Sequence, residues 1–220
     1  IIDQAAQRGI KIIVIDSDVN SSQVSCRIGT NNLQAGIKAA EAALATDDEE
    51  LYIGIVNYDV NSANGQQREL GFRQTVEQDP RVKNITTINV LSTTEDARAG
   101  AKEMLLSDSR INVVVTFNEW TSLGVGWAIR DLNRADRIQV VAFDSNVVSV
   151  GMLETGEVDA LIVQNPYAMG YLGVETAANL MNGQTGGPSV VDTATTIVTR
   201  ENMYEPESQK ILFSFEEEGY

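Results

Sequence analysis

Not one of the 220 residues is a histidine. Ser-His-Asp and Cys-His relays, an imidazole general base and an imidazole-ligated zinc site are therefore excluded within this chain. Cysteine occurs once, at Cys26, which rules out an internal disulfide. Its alternating setting, Val24-Ser25-Cys26-Arg27-Ile28, reads as that of a small core residue. No apolar run approaches the ~18 residues of a membrane-spanning helix. Basic side chains are scarce as well: 16 Lys and Arg stand against 31 Asp and Glu, for a net charge of -15. That balance argues against nucleic acid or an anionic membrane as the main partner, since both need basic surface. Asp47-Asp48-Glu49-Glu50 and Glu216-Glu217-Glu218 carry part of the acidity and read as solvated turn and tail residues, not as cation sites.

Phosphate-binding loops are missing too. No Gly-Lys-Ser/Thr sequence occurs, and Gly124-Val125-Gly126 lies inside a helical pattern without a third glycine, so close helix packing explains it. There is no internal repeat of solenoid spacing. The opening Ile1-Ile2-Asp3 has no basic segment, apolar segment or cleavage site ahead of it. Ile2 to Arg8 reads as the end of a helix stopped by Gly9, followed by a strand from Ile10 to Ile15; this order leads us to expect a fragment of a larger chain.

What is present is regular alternation. Helical patterns near 33–45, 66–78, 95–106, 123–132, 147–154 and 169–181 are interleaved with Val/Ile-rich runs at 52–57, 85–91, 113–117, 138–143 and 158–163. Continuous apolar strands between amphipathic helices indicate an α/β fold, a doubly wound parallel sheet covered on both faces. Thr94 is placed to cap the helix that begins Glu95-Asp96. Asn182-Gly183-Gln184-Thr185-Gly186-Gly187-Pro188 reads as a flexible link ahead of Val190-Val191 and a strand at Thr195–Val198, and marks a candidate crossing between lobes.

Three strands end on a hydrogen-bonding residue: Asn118 after Phe117, Asp144 after Phe143, and Gln164 after Val163. In open α/β sheets ligands bind at the carboxyl ends of strands. Each residue also has a structural explanation. Asp144 and Asn118 are both suited to cap the helices that follow them. Gln164 precedes Pro166, where broken backbone hydrogen bonding suits either a cleft or a hinge. Asp16 suits a cap on the turn at Ser17-Asp18, and Arg68 a surface pair with Glu69 or Glu77. Asp16, Glu119 and Asp144 also offer the carboxylates of a glycosidase-like site, but no spacing in the sequence fixes their separation.

Six segments, in order, carry a family resemblance: Ile13-Val14-Ile15-Asp16, Gly29-Thr30-Asn31-Asn32 with Ala35-Gly36, Arg68-Glu69-Leu70-Gly71-Phe72, Phe117-Asn118-Glu119, Val141-Ala142-Phe143-Asp144, and Gln164-Asn165-Pro166-Tyr167-Ala168-Met169-Gly170. The chain resembles the ribose-type (type I) periplasmic sugar-binding proteins of bacterial ABC transporters. The resemblance implies a two-lobed Venus-flytrap fold whose carboxyl-terminal lobe is complete and whose amino-terminal lobe is partial. The implied division is 1–28 with 165–189 for the partial lobe, and 29–164 with 190–220 for the complete one. It implies a non-enzymatic protein without cofactor or metal, which binds a monosaccharide or related polyol by hinge closure. Expected partners are an ABC permease and a chemoreceptor or sensor kinase, not nucleic acid. The expected location is periplasmic or extracellular, with a lipid anchor on the full-length protein as a further expectation.

Carried over by motif, Asp16, Arg68, Asn118, Asp144 and Gln164 are the expected ligand-binding residues, with Asn64 and Trp120 in a second rank. Relatives often place an aromatic ring where this chain has Thr93-Thr94; Trp120, Phe117 and Phe143 are the replacements on offer, Trp120 first, to cover sugar C–H groups. The alternative is the effector domain of a lactose-repressor-type regulator, which resembles the same fold. The lead Gly156-Glu157-Val158-Asp159 into Gln164-Asn165-Pro166-Tyr167 looks more like the transport proteins.

Overall fold

A computed structural model describes residues 1–184 and 187–213. Thr185 and Gly186 of the expected link, and the acidic run Glu216–Glu218, lie outside the described residues. The elements run α1 (Ile2–Gln7), β1 (Ile12–Ile15), β2 (Val24–Thr30), α2 (Asn32–Leu44), β3 (Leu51–Tyr58), α3 (Ala63–Val76), β4 (Val82–Val90) and α4 (Thr94–Ser107). They continue with β5 (Val113–Thr116), α5 (Glu119–Leu132), β6 (Gln139–Phe143), α6 (Val147–Thr155), β7 (Ala160–Val163), α7 (Pro166–Met181), β8 (Val190–Thr193), β9 (Thr196–Thr199) and α8 (Pro206–Leu212).

The chain forms two compact units. The larger comprises Asn32–Val163 and the described residues from Thr196 onward; the smaller comprises Ile1–Asn31 and, among the described residues, the Gln164–Thr195 segment. The larger unit holds a six-stranded sheet of order β4-β3-β5-β6-β7-β9. All neighbours are parallel except β9, which runs antiparallel to β7. Its buried strand residues split by parity, as a pleated sheet requires. Ile53, Ile55, Val113, Val115, Val141 and Ile162 face one apolar cluster with α2 and α3; Val56, Val114, Val140, Ala142 and Leu161 face the other, with α4, α5 and α6. Both faces are thus covered, which explains why these strands read as continuous apolar runs.

The helices are seated by close backbone approaches. A Cβ on Gly36 of α2 would stand 2.0 Å from the Arg68 carbonyl oxygen, and one on Gly71 of α3 would stand 2.1 Å from that of Leu33. Gly124, in the Gly-Val-Gly stretch expected to serve packing, would meet the Ala97 Cβ at 2.5 Å and the Thr94 carbonyl at 2.7 Å, which joins α5 to α4. Across the same pair, Asp131 accepts from Arg98 at 2.6 and 2.8 Å and from Lys102 at 3.1 Å. These hydrogen bonds hold the Asp131 carboxyl down at about 2.

The smaller unit contains a three-stranded parallel sheet of order β1-β2-β8. Cys26, Ile28 and Met169 form its small buried cluster, and Cys26 is the core residue its setting suggested. Met169 is the one buried residue of α7; Tyr167, Tyr171 and Val174 are 55%, 58% and 74% exposed.

Several expectations are corrected. Val24–Thr30 forms strand β2, which the sequence marks only through the alternating setting of Cys26 and does not set out as a strand. Residues 29–31, 164 and 190–195 belong to the smaller unit and not to the larger; for 190–193 the reason is that β8 pairs with β2 from Arg27↔Val190 to Thr30↔Thr193. The cap of α4 is Thr93, whose hydroxyl accepts from the Asp96 amide at 3.2 Å; Thr94 is the first helical residue. Among the described residues no helix is long and apolar enough to cross a membrane.

Two measurements check this packing. Gly36→Ala and Gly71→Ala are each expected to lower stability in denaturant unfolding by ~2 kcal/mol or more through overpacking. Gly170→Ala in α7, where an added Cβ meets nothing within 4 Å, is expected to raise it by ~0.5–1 kcal/mol. The Asp131 contribution has a defined sign: a depressed carboxylate stabilises above its unfolded-state pKa of about 3.9 and loses that contribution as pH falls toward 2. Asp131→Asn should therefore flatten the fall in melting temperature between about pH 4 and pH 2.

Candidate functional site

In the larger unit the expected residues gather at the carboxyl edge of the sheet. Arg68 lies one turn into α3 and is only 2% exposed. Its Nε donates to Asn32 Oδ1 at 2.9 Å, its Nη1 donates to the Phe117 carbonyl at 2.7 Å, and its guanidinium carbon stands 4.6 Å from the centroid of the Phe143 ring. The surface pair with Glu69 or Glu77 is overturned, because α3 turns Arg68 inward and both acids pair with Arg73. Asn64, one turn earlier, accepts from Asn32 Nδ2 at 3.2 Å.

Asn118 follows β5 and caps α5. Its Oδ1 accepts from the Thr121 amide at 3.0 Å in a reciprocal capping box, and its Nδ2 donates to Ser92 Oγ at 2.7 Å. Asp144 follows β6 with φ of 66°, in the left-handed region. It does not cap α6, for which Asn146 is the cap. Its Oδ2 instead accepts from the Glu119 amide at 3.0 Å, the first residue of α5, so the carboxylate sits at the positive end of that helix. The Asp144 amide donates to the Ile162 carbonyl of β7 at 3.0 Å. Trp120 is 48% exposed on the first turn of α5, whereas Phe117 and Phe143 are fully buried and pack edge to face. The two phenylalanines are therefore core, and of the aromatic replacements Trp120 alone has ring surface exposed to solvent.

In the smaller unit Asp16 repeats the geometry of Asp144. It follows β1, has φ of 62°, and donates its amide to the Ile28 carbonyl of the neighbouring β2 at 2.9 Å. Ser17 Oγ donates to Asp16 Oδ2 at 3.4 Å, a contact between neighbouring side chains in the turn. Gln164 follows β7 and accepts from Thr30 Oγ1 at 2.7 Å; Asn165, next to it, caps α7 by accepting from the Ala168 amide at 2.9 Å.

Sequence reasoning does not single out Asn32, Ser92 and Thr30 as partners of the expected ligand residues. Asn32 lies within the quoted Gly29-Thr30-Asn31-Asn32 segment, and an asparagine just ahead of the helical pattern near 33–45 is the signal that could have found it. A cavity of about 740 Å³ lies at the opposite, amino end of the larger sheet, lined by Gln139, Asp159 and Arg200 among others. Asp159 there has its carboxyl raised, chiefly by burial. No expected site residue lines that cavity. Among the described residues no three His, Cys, Asp or Glu side chains group to hold a metal ion.

Residues 1–185 match the family model of the periplasmic binding protein domain. The chain belongs to this family. It is 25% identical over 211 residues to the D-ribose/D-allose-binding protein of Pseudomonas aeruginosa, covering 90% of this chain and 65% of that protein. It is likewise 25% identical to the ribose import binding protein of Haemophilus influenzae, covering 82% and 61% of the two chains. The chain thus spans less than two thirds of either curated relative. Its fold matches a carbohydrate transporter solute-binding protein from Agrobacterium radiobacter, solved with D-arabinose, at a TM-score of 0.90 and 29% identity over 96% of this chain and 73% of that one. The α/β fold is that of a type I periplasmic binding protein.

The left-handed backbone at Asp144 gives an inverted stability order. Glycine at this position relieves the Cβ clash that alanine keeps, worth about 1–2 kcal/mol. Asp144→Ala is therefore expected to be less stable than Asp144→Gly by ~1 kcal/mol, and Asp144→Asn, which keeps an acceptor for the Glu119 amide, more stable than either. Chemical denaturation of the three variants checks the order.

Proposed function

We propose that this chain is part of a non-catalytic solute-binding protein of an ABC importer, which holds a monosaccharide or related polyol between its two units and closes on it by hinge motion. The observation that carries the reading is the matched pair Asp16 and Asp144. Each unit ends a parallel strand on an aspartate with a left-handed backbone whose amide donates to the next strand. A non-glycine residue in this conformation costs of order 1–3 kcal/mol and tends to persist at ligand-binding positions. The third such residue among those described, Asn133, is accounted for as the C-cap of α5.

The chemistry suits a sugar. A carboxylate accepts from two adjacent hydroxyls, a guanidinium donates in a planar fork, and an amide does both. In this reading Asp16 and Gln164 contribute from the smaller unit, and Arg68, Asn118 and Asp144 from the larger. Asn64 adds a contact of second rank, and Trp120 supplies a ring for the sugar's C–H face. Such a set fixes a polyol without forming a covalent bond. Contacts made by both units favour the closed form, and only the difference in affinity between open and closed forms drives closure. The names of the relatives, which bind D-ribose, D-allose or D-arabinose, support a monosaccharide.

The reading extends to a permease that recognises the closed form, to a chemoreceptor or sensor kinase as a second partner, and to a periplasmic or extracellular location with lipid anchoring of the full-length protein. Titration calorimetry against pentoses, hexoses and inositols tests it. Micromolar or tighter binding of at least one sugar is expected, weakened roughly 10- to 100-fold by Asp144→Ala and by Gln164→Ala. Absence of heat with every sugar would overturn the proposal and turn attention to other effectors, including those of repressor-type regulators.

A further inference from the structure

We infer that Asn32 is a positioning residue for the ligand: it fixes the plane of the Arg68 guanidinium, and through it sets how tightly that side chain engages a sugar. The inference rests on the sugar-binding reading above. Arg68 and Asn32 are 2% and 3% exposed, so their 2.9 Å hydrogen bond is buried. Burying an arginine is tolerated only where its donors meet acceptors. Nε meets Asn32 Oδ1, Nη1 meets the Phe117 carbonyl at 2.7 Å, and the guanidinium carbon lies over the Phe143 ring at 4.6 Å. Two hydrogen bonds from different nitrogens and one stacking contact determine both the position of the planar group and its rotation about the Cδ–Nε bond.

The Phe117 acceptor is backbone, and the Phe143 ring is locked edge to face against Phe117 at 6.0 Å. Asn32 is the one amide side chain among these three contacts. Its own orientation is set in turn, because Nδ2 donates to Asn64 Oδ1 at 3.2 Å, so Oδ1 points at Arg68. The backbone beneath is equally constrained: Gly36, one turn after Asn32, lies against the Arg68 carbonyl, where a Cβ would come within 2.0 Å. Helix α2 therefore holds both the main chain and the side chain of Arg68. The chain crosses from the smaller unit into the larger between Asn31 and Asn32, so the residue that holds Arg68 is also the first residue of the larger unit.

The test uses D-ribose, D-allose and D-arabinose as probes in calorimetric titration, with thermal unfolding recorded on the same samples. Asn32→Ala is expected to weaken binding roughly tenfold or more, the loss of a hydrogen bond to a charged group. Asn32→Asp keeps an oxygen acceptor for Nε and is expected to retain affinity within about threefold. In an Arg68→Lys background, where the planar fork is gone, Asn32→Ala is expected to change affinity little. A purely structural role predicts a different pattern: lower melting temperatures with unchanged affinity, or equal losses in the unsubstituted and Arg68→Lys backgrounds. Either result overturns the inference while leaving the sugar-binding reading intact. If the unsubstituted protein binds none of the three sugars nor any other in the wider panel, the functional reading falls and the inference falls with it.

Discussion

The larger unit is organised around one buried cation. Arg68 brings a permanent positive charge to a position almost without solvent, and removing such a group from water costs several kcal/mol even after relaxation. Hydrogen bonds from a charged donor return about 1.5–3 kcal/mol each, and a desolvated ring contact about 2. Two acceptors come from α2 and the end of β5, and the ring from the end of β6, so part of the cost is offset where those elements meet. The backbone makes the same demand. Gly36 and Gly71 let α2 and α3 approach until main chain touches main chain. Arg68 is thereby held from several sides at the carboxyl edge of the sheet, and in the proposed reading preorganisation of that kind reduces the ordering cost of binding.

Much of this is legible in the sequence, and the reasons differ by element. The inner strands of the larger sheet are buried on both faces, so they announce themselves as runs such as Val113-Val114-Val115 and Gln139-Val140-Val141-Ala142-Phe143. Strand β2 is half-buried and alternates apolar Val24, Cys26 and Ile28 with polar Ser25 and Arg27, a period-two signal that spans only five residues before Gly29 and Thr30. The short edge strand β8, whose only buried residue is the polar Thr193, gives still less. Its membership of the smaller unit depends on a pairing with residues more than 160 positions earlier, which no local pattern encodes. Caps err by local ambiguity: Thr93 and Thr94 have the same chemistry, and only backbone geometry selects Thr93.

The site divides along the same line. Asn118, Asp144 and Gln164 are readable because each ends an apolar strand. Their partners are not. The sequence offers Asp144 a helix three residues on, yet the carboxylate turns to the amide of Glu119, 25 residues earlier, since β5 and β6 are neighbours and Asn146 already serves α6. Arg68 illustrates the opposite error. Glu69 and Glu77 suggest a solvent-facing ion pair, but a helix places residues 68 and 69 about 100° apart, and both acids pair with Arg73, while the second oxygen of the half-buried Glu69 accepts from Asn57 Nδ2 at 2.7 Å.

The use of aspartate, and not glycine, at both left-handed strand ends bears on what the site can do. Glycine would remove the backbone strain at Asp16 and Asp144, and proteins commonly place it where such a conformation is required. Aspartate is among the few other residues that tolerate it, because its short polar side chain bonds locally. Ser17 supplies that local bond for Asp16, and the Glu119 amide supplies its counterpart for Asp144. What the left-handed turn adds is direction: it redirects the chain at the sheet edge while the amide stays bonded to the next strand through the carbonyls of Ile28 and Ile162. Two strand ends thus accept the same strain to present a carboxylate at the edge.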